Sequence, residues 1–161
     1  MAESVKIPAE VTAKYEKYKI LLPQLKALVE GERDLIANLS NIMAALKYSM
    51  NFFWVGIYFV KKDVLVLGPF QGPVACVRIS YGKGVCGACW EKAATIIVPD
   101  VEVFPGHIAC SVESKSEIAV PVFKNGKVQA VFDVDSNVKD DFDETDAAAL
   151  EEIATLIGTL L

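Results

Sequence analysis

The residues of this chain that could do chemistry are concentrated between residues 68 and 117. This segment contains all four cysteines, Cys76, Cys86, Cys89 and Cys110, together with the single histidine, His107. A thiol can act as a nucleophile, a redox group or a metal ligand, and an imidazole can exchange a proton near neutral pH. If the protein is an enzyme, we expect its reaction in this segment.

The cysteines belong to a protein that we expect in the cytoplasm. The N-terminal sequence carries no apolar signal segment, and no apolar run approaches the ~18 residues of a membrane helix. Structural disulfides are rare in that reducing compartment. Buried inert side chains, metal ligands and working thiols therefore remain as interpretations, and the first is the ordinary one.

One pair of cysteines has the spacing of a metal or redox motif. Cys86-x-x-Cys89 could supply half of a zinc site, and His107 with Cys110 could supply the other half. The usual zinc-knuckle context is missing, so zinc is the minority interpretation and we predict no bound metal. His107 follows Pro105-Gly106, and we interpret it as a residue that shapes a turn rather than as a catalytic group.

A glycine pattern in the same segment matches a cofactor-binding fingerprint. The pattern is Gly82-x-Gly84-x-x-Gly87, which dinucleotide-binding proteins place between a strand and a helix of a βαβ unit. Here it follows a loop, and no βαβ unit surrounds it. We therefore interpret it as a glycine-rich turn and expect no bound cofactor.

Two aromatic residues stand four positions apart on a predicted strand. Because strand side chains alternate between faces, Trp54 and Tyr58 share a face. Core packing is the plain interpretation. The functional one is an aromatic wall that contacts a methyl group or a positively charged sulfur or nitrogen.

Two acidic residues share the face of another predicted strand. Asp133 and Asp135 alternate with Phe132 and Val134, which places both carboxyl groups on one side. Neighbouring carboxyl groups raise one another's proton affinity. On a solvated strand this means little, whereas in a pocket it provides a carboxylate, a potential proton donor and a preference for an ammonium group.

Hydrophobic periodicity predicts helices at both ends of the chain and strands between them. The predicted helices are residues 9–30 with a break or restart at Pro23, 33–48, 84–94, and 143–160 with Asp143 as N-cap. The predicted strands are 52–60, 64–67, 95–98, 117–123 and 128–135, with loops at 68–81 and 99–115. Hairpin connections dominate, so we expect a largely antiparallel sheet with the terminal helices on one face and a pocket on the other.

The hairpin at Asn125-Gly126 decides which acids meet. A two-residue turn pairs Lys124 with Lys127 and sets Glu117 opposite Val134, away from Asp133 and Asp135. A three-residue loop gathers all three acids on one face and leaves the other face apolar. We therefore predict the three-residue loop, unless a bulge at Pro121 shifts the register.

Composition agrees with one globular domain, residues 1–161. The chain is 53% hydrophobic and 23% charged, which is typical of a protein with a substantial core. Its net charge of −5 argues against nucleic acid as a partner.

Four stretches together resemble the GAF-domain free methionine-(R)-sulfoxide reductases. They are GPFQGPVACVRISYGKGVCG (68–87), VPDVEVFPGHIAC (98–110), SEIAVPV (116–122) and FDVDS (132–136), and the likeness covers nearly the whole chain. The resemblance implies an α+β fold with a six-stranded antiparallel sheet, and a homodimer. It implies catalytic cysteines at Cys76, Cys86 and Cys110.

The resemblance also implies a substrate pocket formed by Trp54, Tyr58, Glu117, Asp133 and Asp135. Glu102 and Ser111 depart from the family, which tends to have histidine and aspartate there, and Cys89 is an additional cysteine. None of these departures removes a pocket residue.

The implied reaction uses thiols in sequence. Cys110 would attack the sulfoxide, Cys76 would resolve the resulting sulfenic acid to a disulfide, and Cys86 is the reserve candidate for either role. An external thioredoxin-like dithiol would then reduce the disulfide. A GAF sensor that binds a small ligand without catalysis is the alternative, and it leaves the thiols of the pocket loops unexplained.

Overall fold

Four α-helices frame the fold in the computed structural model, which describes residues 4–108 and 110–161. They are α1 (Lys14–Val29), α2 (Leu35–Met50), α3 (Gly84–Lys92) and α4 (Glu144–Leu160), and Val101–Val103 forms a single 3₁₀ turn. The predicted break at Pro23 is wrong, because α1 continues through it. Leu21 and Leu25 on either side are fully buried, so packing outweighs the backbone hydrogen bond that proline cannot make.

The predicted cap of the last helix is confirmed. The side chain of Asp143 accepts hydrogen bonds from the backbone N–H groups of Thr145 and Asp146, and Asp146 returns the bond in a capping box. None of the helices in the described part of the chain has the length and apolar character needed to cross a membrane.

The strands form one six-stranded antiparallel sheet, in the order β3-β2-β1-β6-β5-β4. They are β1 (Trp54–Lys61), β2 (Val64–Gln71), β3 (Arg78–Ser80), β4 (Ile96–Val98), β5 (Ser116–Lys124) and β6 (Lys127–Ser136). The predicted loop at 68–81 is wrong in part, since β2 extends to Gln71 and β3 lies inside it. Gly56 pairs with Phe70 and Tyr58 with Leu67, so Pro69 lies in a bulge, where a missing N–H is tolerated.

The β5–β6 hairpin combines a short turn with a bulge. Lys124 pairs with Lys127 across Asn125 and Gly126, both with positive φ, so the predicted three-residue loop is wrong. A register shift then leaves the exposed Gln129 unpaired. Beyond this bulge the pairing is the predicted one, in which Glu117 lies opposite Asp135 and the apolar residues share the other face.

The sheet separates two clusters of buried side chains. Helices α1, α2 and α4 cover one face, where apolar residues of alternating positions form the main core, among them Val55, Ile57, Ile118, Val120, Phe132 and Val134. The opposite face, which we call the pocket face, carries Trp54, Tyr58 and Ala119 beneath α3. The expected arrangement of terminal helices on one side and pocket loops on the other is confirmed.

Candidate active site

Three strands place the acidic residues of the pocket face side by side. Trp54 of β1 lies opposite Asp135 of β6, and Asp135 lies opposite Glu117 of β5, so these three residues form a row across the sheet. Asp133 is two residues from Asp135 and points to the same face. The structure therefore brings together the three acids that the sequence analysis had assigned to one cluster.

The aromatic wall stands beside this row. The indole of Trp54 stacks between Phe70, at 5.4 Å between ring centroids, and Tyr58, at 6.2 Å. Trp54 Nε1 donates a hydrogen bond to the carbonyl oxygen of Pro73, and Tyr58 Oη donates one to that of Cys76. Both aromatic residues are buried, and their hydrogen bonds hold the loop that carries Cys76 against the sheet.

Two glycines make room for the indole. A Cβ atom on Gly56 would contact the Trp54 ring and lie 2.6 Å from Phe70 Cβ. A Cβ atom on Gly72, whose φ is +139°, would lie 2.6 Å from Trp54 Cδ1. The position of Trp54 therefore depends on glycine at both sites.

A disulfide joins the two loops that border the pocket. Cys76 and Cys110 are bonded across 34 residues of sequence, with their Cα atoms 5.2 Å apart. Cys110 lines the pocket together with Glu117 and His107. The two cysteines that the resemblance paired are therefore joined in this structure.

The other two cysteines are free thiols on α3. Cys86 lines the pocket, and its Sγ lies 3.8 Å from Glu117 Oε1. Cys89 is fully buried in the apolar cluster beneath α3, and it does not line the pocket. Burial raises the pKa of both thiols, and nearby Asp133 raises them further, so neither favours the thiolate in this state.

The pKa values of the three carboxyl groups in the pocket are raised above those of surface acids. Desolvation, reinforced by the other carboxyl groups, raises the pKa of Glu117 and of Asp135 well above the usual range. Desolvation raises the pKa of Asp133 to about 6, and hydrogen bonds with Cys86 and Glu117 partly oppose the change. At neutral pH the cluster can therefore hold a carboxylate beside protonated acids.

One carboxylate oxygen in this cluster lacks a partner. Asp133 Oδ1 is buried and has no hydrogen bond within the described residues. A buried unpaired acceptor is costly, and it fits an external donor or cation that occupies the pocket. Among the described residues, the side chains that line the pocket include no lysine or arginine.

Sequence reasoning missed two residues of this site. His107 forms the expected turn, with its N–H bonded to Phe104 O, but its Nε2 also lies 3.9 Å from Glu117 Oε2. Desolvation lowers the pKa of His107, which favours the neutral imidazole. Ser114 is buried beside Asp135 and lines the pocket. The loop between β4 and β5 folds back over β5 and so places both residues in the pocket. No local sequence pattern predicts this path of the loop.

The structure bears on the zinc motif and on the glycine pattern considered from the sequence. In this structure Cys110 belongs to a disulfide, so the four-ligand zinc set with Cys86, Cys89 and His107 is not assembled. Gly82 and Gly84 have positive φ at the turn into α3, as expected for a glycine-rich turn. Of the departures from the family pattern, Ser111 lines the pocket, whereas Glu102 bonds to Lys115 and Lys139 outside it.

Comparisons with known proteins agree with this architecture. The GAF domain family matches residues 30–161. GAF domain-containing protein A of Dictyostelium discoideum is 53% identical over 158 residues, which are 98% of this chain and 99% of that protein. The free methionine-R-sulfoxide reductase of Saccharomyces cerevisiae is 41% identical over 154 residues, 90% of this chain and 86% of that protein.

A solved structure shows the same fold at high similarity. The X-ray structure of free methionine-R-sulfoxide reductase from Neisseria meningitidis in complex with its substrate superposes with a TM-score of 0.93 at 45% identity. The match covers 98% of this chain and 95% of that one. The chain therefore belongs to the GAF-domain family of free methionine-R-sulfoxide reductases.

Proposed function

We propose that this protein reduces free L-methionine-(R)-sulfoxide to L-methionine. The observation that carries the proposal is the Cys76–Cys110 disulfide at a pocket lined by Trp54 and three carboxyl groups. The yeast and Neisseria relatives bear the name of this activity, which supports the reaction. A sensor that only binds a ligand would need the pocket but not a disulfide beside it.

Cys110 is the nucleophile in this proposal, because it is the disulfide-bonded cysteine that lines the pocket. In the reduced enzyme its thiol takes the oxygen of the sulfoxide, giving methionine and a sulfenic acid at Cys110. The thiol of Cys76 then attacks the sulfenic sulfur. The disulfide forms and the oxygen leaves as water, with protons from the two thiols.

Glu117 and Asp135 supply the proton that the sulfoxide oxygen needs. Both carboxyl groups lie in one row of the sheet, and desolvation raises the pKa of each. A protonated carboxyl group can donate to the oxygen as the sulfur–oxygen bond breaks. His107 is 3.9 Å from Glu117 and can return a proton to it between turnovers.

Asp133 binds the ammonium group of the substrate. Its buried Oδ1 lacks a partner within the described residues, and an ammonium group would provide one. A residue inside a peptide has an uncharged amide nitrogen at this place. The enzyme should therefore act on the free amino acid and discriminate strongly against peptides.

The aromatic wall contacts the methylsulfinyl end of the substrate. Trp54 and Tyr58 present stacked rings beside the carboxyl groups. These rings exclude water from the sulfur and fix the end of the side chain. The orientation of the sulfoxide between the rings and Cys110 would select the R epimer.

The disulfide must be reduced before another turnover. An external dithiol of the thioredoxin type attacks one sulfur, passes through a mixed disulfide, and leaves both enzyme cysteines as thiols. We also propose that the protein works as a homodimer, as the family resemblance implies.

A substrate comparison tests the proposal. The reduced protein is assayed with a dithiol on free L-methionine-(R)-sulfoxide, on the S epimer, and on a peptide containing methionine sulfoxide. We expect methionine from the free R epimer alone. Comparable rates on the peptide, or none on the free R epimer, would contradict the proposal.

A further inference from the structure

A thiol and two carboxyl groups of the pocket form a compact set of metal donors. One donor atom each from Cys86, Glu117 and Asp133 lies within 4.8 Å of the other two, and all three residues are buried. In this set Cys86 Sγ is 3.8 Å from Glu117 Oε1. Around a tetrahedral zinc ion with ordinary bond lengths, a sulfur and an oxygen ligand stand about 3.5 Å apart. Small side-chain adjustments would therefore bring these donors onto one ion.

A second observation points independently to a cation. Asp133 Oδ1 is buried and has no partner within the described residues. No lysine or arginine lines the described pocket, so nothing there supplies a fixed positive charge to the carboxyl groups. An ammonium group would donate a hydrogen bond to the oxygen but would not be ligated by the thiol of Cys86 beside it. A borderline-soft divalent cation accepts both a thiolate and a carboxylate as ligands.

We propose that Cys86, Glu117 and Asp133 bind one Zn²⁺ ion, which acts as an inhibitor rather than as a cofactor. Three protein ligands leave the fourth position for water. The set differs from the four-ligand motif considered from the sequence, because it uses Cys86 without Cys89, His107 or Cys110. Zinc binding itself does not depend on the proposed reductase activity. Its competition with the amino acid does, since both would contact Asp133.

The disulfide form of the protein gives the cleanest test. With Cys76 and Cys110 bonded, the free thiols are Cys86 and Cys89, so other pocket thiols cannot contribute. The protein is titrated with Co²⁺, which reports thiolate ligation by charge-transfer absorption, and Zn²⁺ is then added to displace it. We expect one Co²⁺ per chain with a thiolate band, and tighter binding of Zn²⁺.

Matched variants identify the ligands. Cys86→Ser should abolish the band, whereas Cys89→Ser, on the same helix and equally buried, should keep it. Asp133→Asn should weaken binding at least about tenfold, and more than Asp135→Asn on the same strand. No saturable binding to the wild type would overturn the proposal. A band retained in Cys86→Ser, or affinity within about twofold of wild type in Asp133→Asn, would do the same.

Free methionine separates this proposal from the previous one. We expect it to raise the apparent dissociation constant for Zn²⁺, because its ammonium group and the metal share Asp133. Zinc that binds through Cys86 and Asp133 but is unaffected by methionine would support the metal site and overturn its inhibitory role. That result would also contradict the assignment of Asp133 to the substrate ammonium.

Discussion

Glu117 on β5 lies directly opposite Asp135 on β6, and one extra residue near the hairpin turn decides that pairing. Lys124 pairs with Lys127 at the turn, while Val122 pairs with Ala130, so Gln129 is the unpaired residue of the bulge. If Gln129 were paired with Val122 in a regular ladder, the two-residue turn would set Glu117 opposite Val134. The acid cluster of the pocket therefore depends on Gln129 staying outside the ladder, more than 10 residues away in sequence from Glu117.

Deleting Gln129 should leave the acid cluster in place and retain most of the activity, because it removes the bulge and leaves a regular two-residue hairpin. Val128 can still pair with Phe123 and Ala130 with Val122, so Glu117 stays opposite Asp135 and each strand keeps its two faces. The measurement is the thermal unfolding midpoint together with methionine release. Gln129→Ala, which keeps the chain length, is the control and should change stability by less than about 0.5 kcal/mol. A deletion variant that folds but no longer releases methionine would show that the bulge contributes more to the site than the register.

The sequence was enough to predict which side chains of β5 and β6 share a face. It was not enough to predict the short turn and bulge that produce this pairing. The faces of β5 and β6 were predictable because only one register buries a consistent apolar surface. The turn was not predictable, because a two-residue turn with a bulge and a three-residue loop without one produce the same register. The Gly68-Pro69 segment was predicted as loop for a similar reason: a bulge in β2 accepts residues that a regular strand rejects.

The site shows the same division. Period-two alternation was enough to place Trp54 with Tyr58 and Asp133 with Asp135. The approach of His107 to Glu117 depends on how the loop after β4 folds back over β5, which no local pattern encodes. Local patterns therefore predict residues fixed by one strand, and miss contacts made between a loop and the sheet.

Serine variants of the cysteines should separate the steps of the reaction. Cys110→Ser should release no methionine, because the nucleophile is absent. Cys76→Ser should release about one methionine per active site and then stop, because only the resolving thiol is missing. Cys89→Ser is the buried control and should turn over normally. The measurement is methionine released in a single turnover without reductant. A burst from Cys110→Ser that is missing in Cys86→Ser would make Cys86 the nucleophile.

Neutral replacements of the pocket acids should slow the reaction without unfolding the protein. Glu117→Gln or Asp135→Asn removes a proton donor, which should lower the single-turnover rate by about 10²–10⁴-fold. The unfolding midpoint should stay level or rise, because desolvation already disfavours the carboxylate at these positions. Glu113→Gln, on the exposed part of the loop, is the control. A loss of stability that parallels the loss of rate would assign the acids a structural role instead.

Gly56→Ala should displace the aromatic wall. The added Cβ would contact the indole of Trp54 and lie 2.6 Å from Phe70 Cβ, in the middle of β1. We expect a destabilisation of about 1–3 kcal/mol and a higher KM. Trp54→Phe removes the ring atoms that meet the new methyl group, so the double variant should be less unstable than the sum of the two single variants. Additive effects in denaturant unfolding would show that Gly56 does not act through Trp54.

Lys139→Met should lower the stability of the folded protein at neutral pH and have little effect on it at acidic pH. Lys139 Nζ donates hydrogen bonds to Asp100 Oδ2 at 2.7 Å and to Glu102 Oε2 at 3.3 Å, at the base of the loop that carries Cys110. These hydrogen bonds are the main cause that lowers the pKa of both carboxyl groups below their ordinary values of 3.8 and 4.5. A carboxyl group with a lowered pKa in the folded state stabilises the protein above its ordinary pKa. That contribution is lost as the pH falls through the folded value.

The difference in unfolding midpoint between wild type and Lys139→Met should therefore be constant from neutral pH down to about 5. It should decline below the ordinary pKa values of the two acids and vanish below their lowered values in the folded state. Added salt should shrink it, because the groups are exposed. Hydrogen exchange gives a local readout, since the Val101 N–H bonds to Lys115 O across the base of this loop. Lys127→Met, at the exposed hairpin, is the control and should show no such pH dependence. A difference that grows as the pH falls would contradict the sign of this linkage, and would mean that Lys139 does not stabilise the ionised acids.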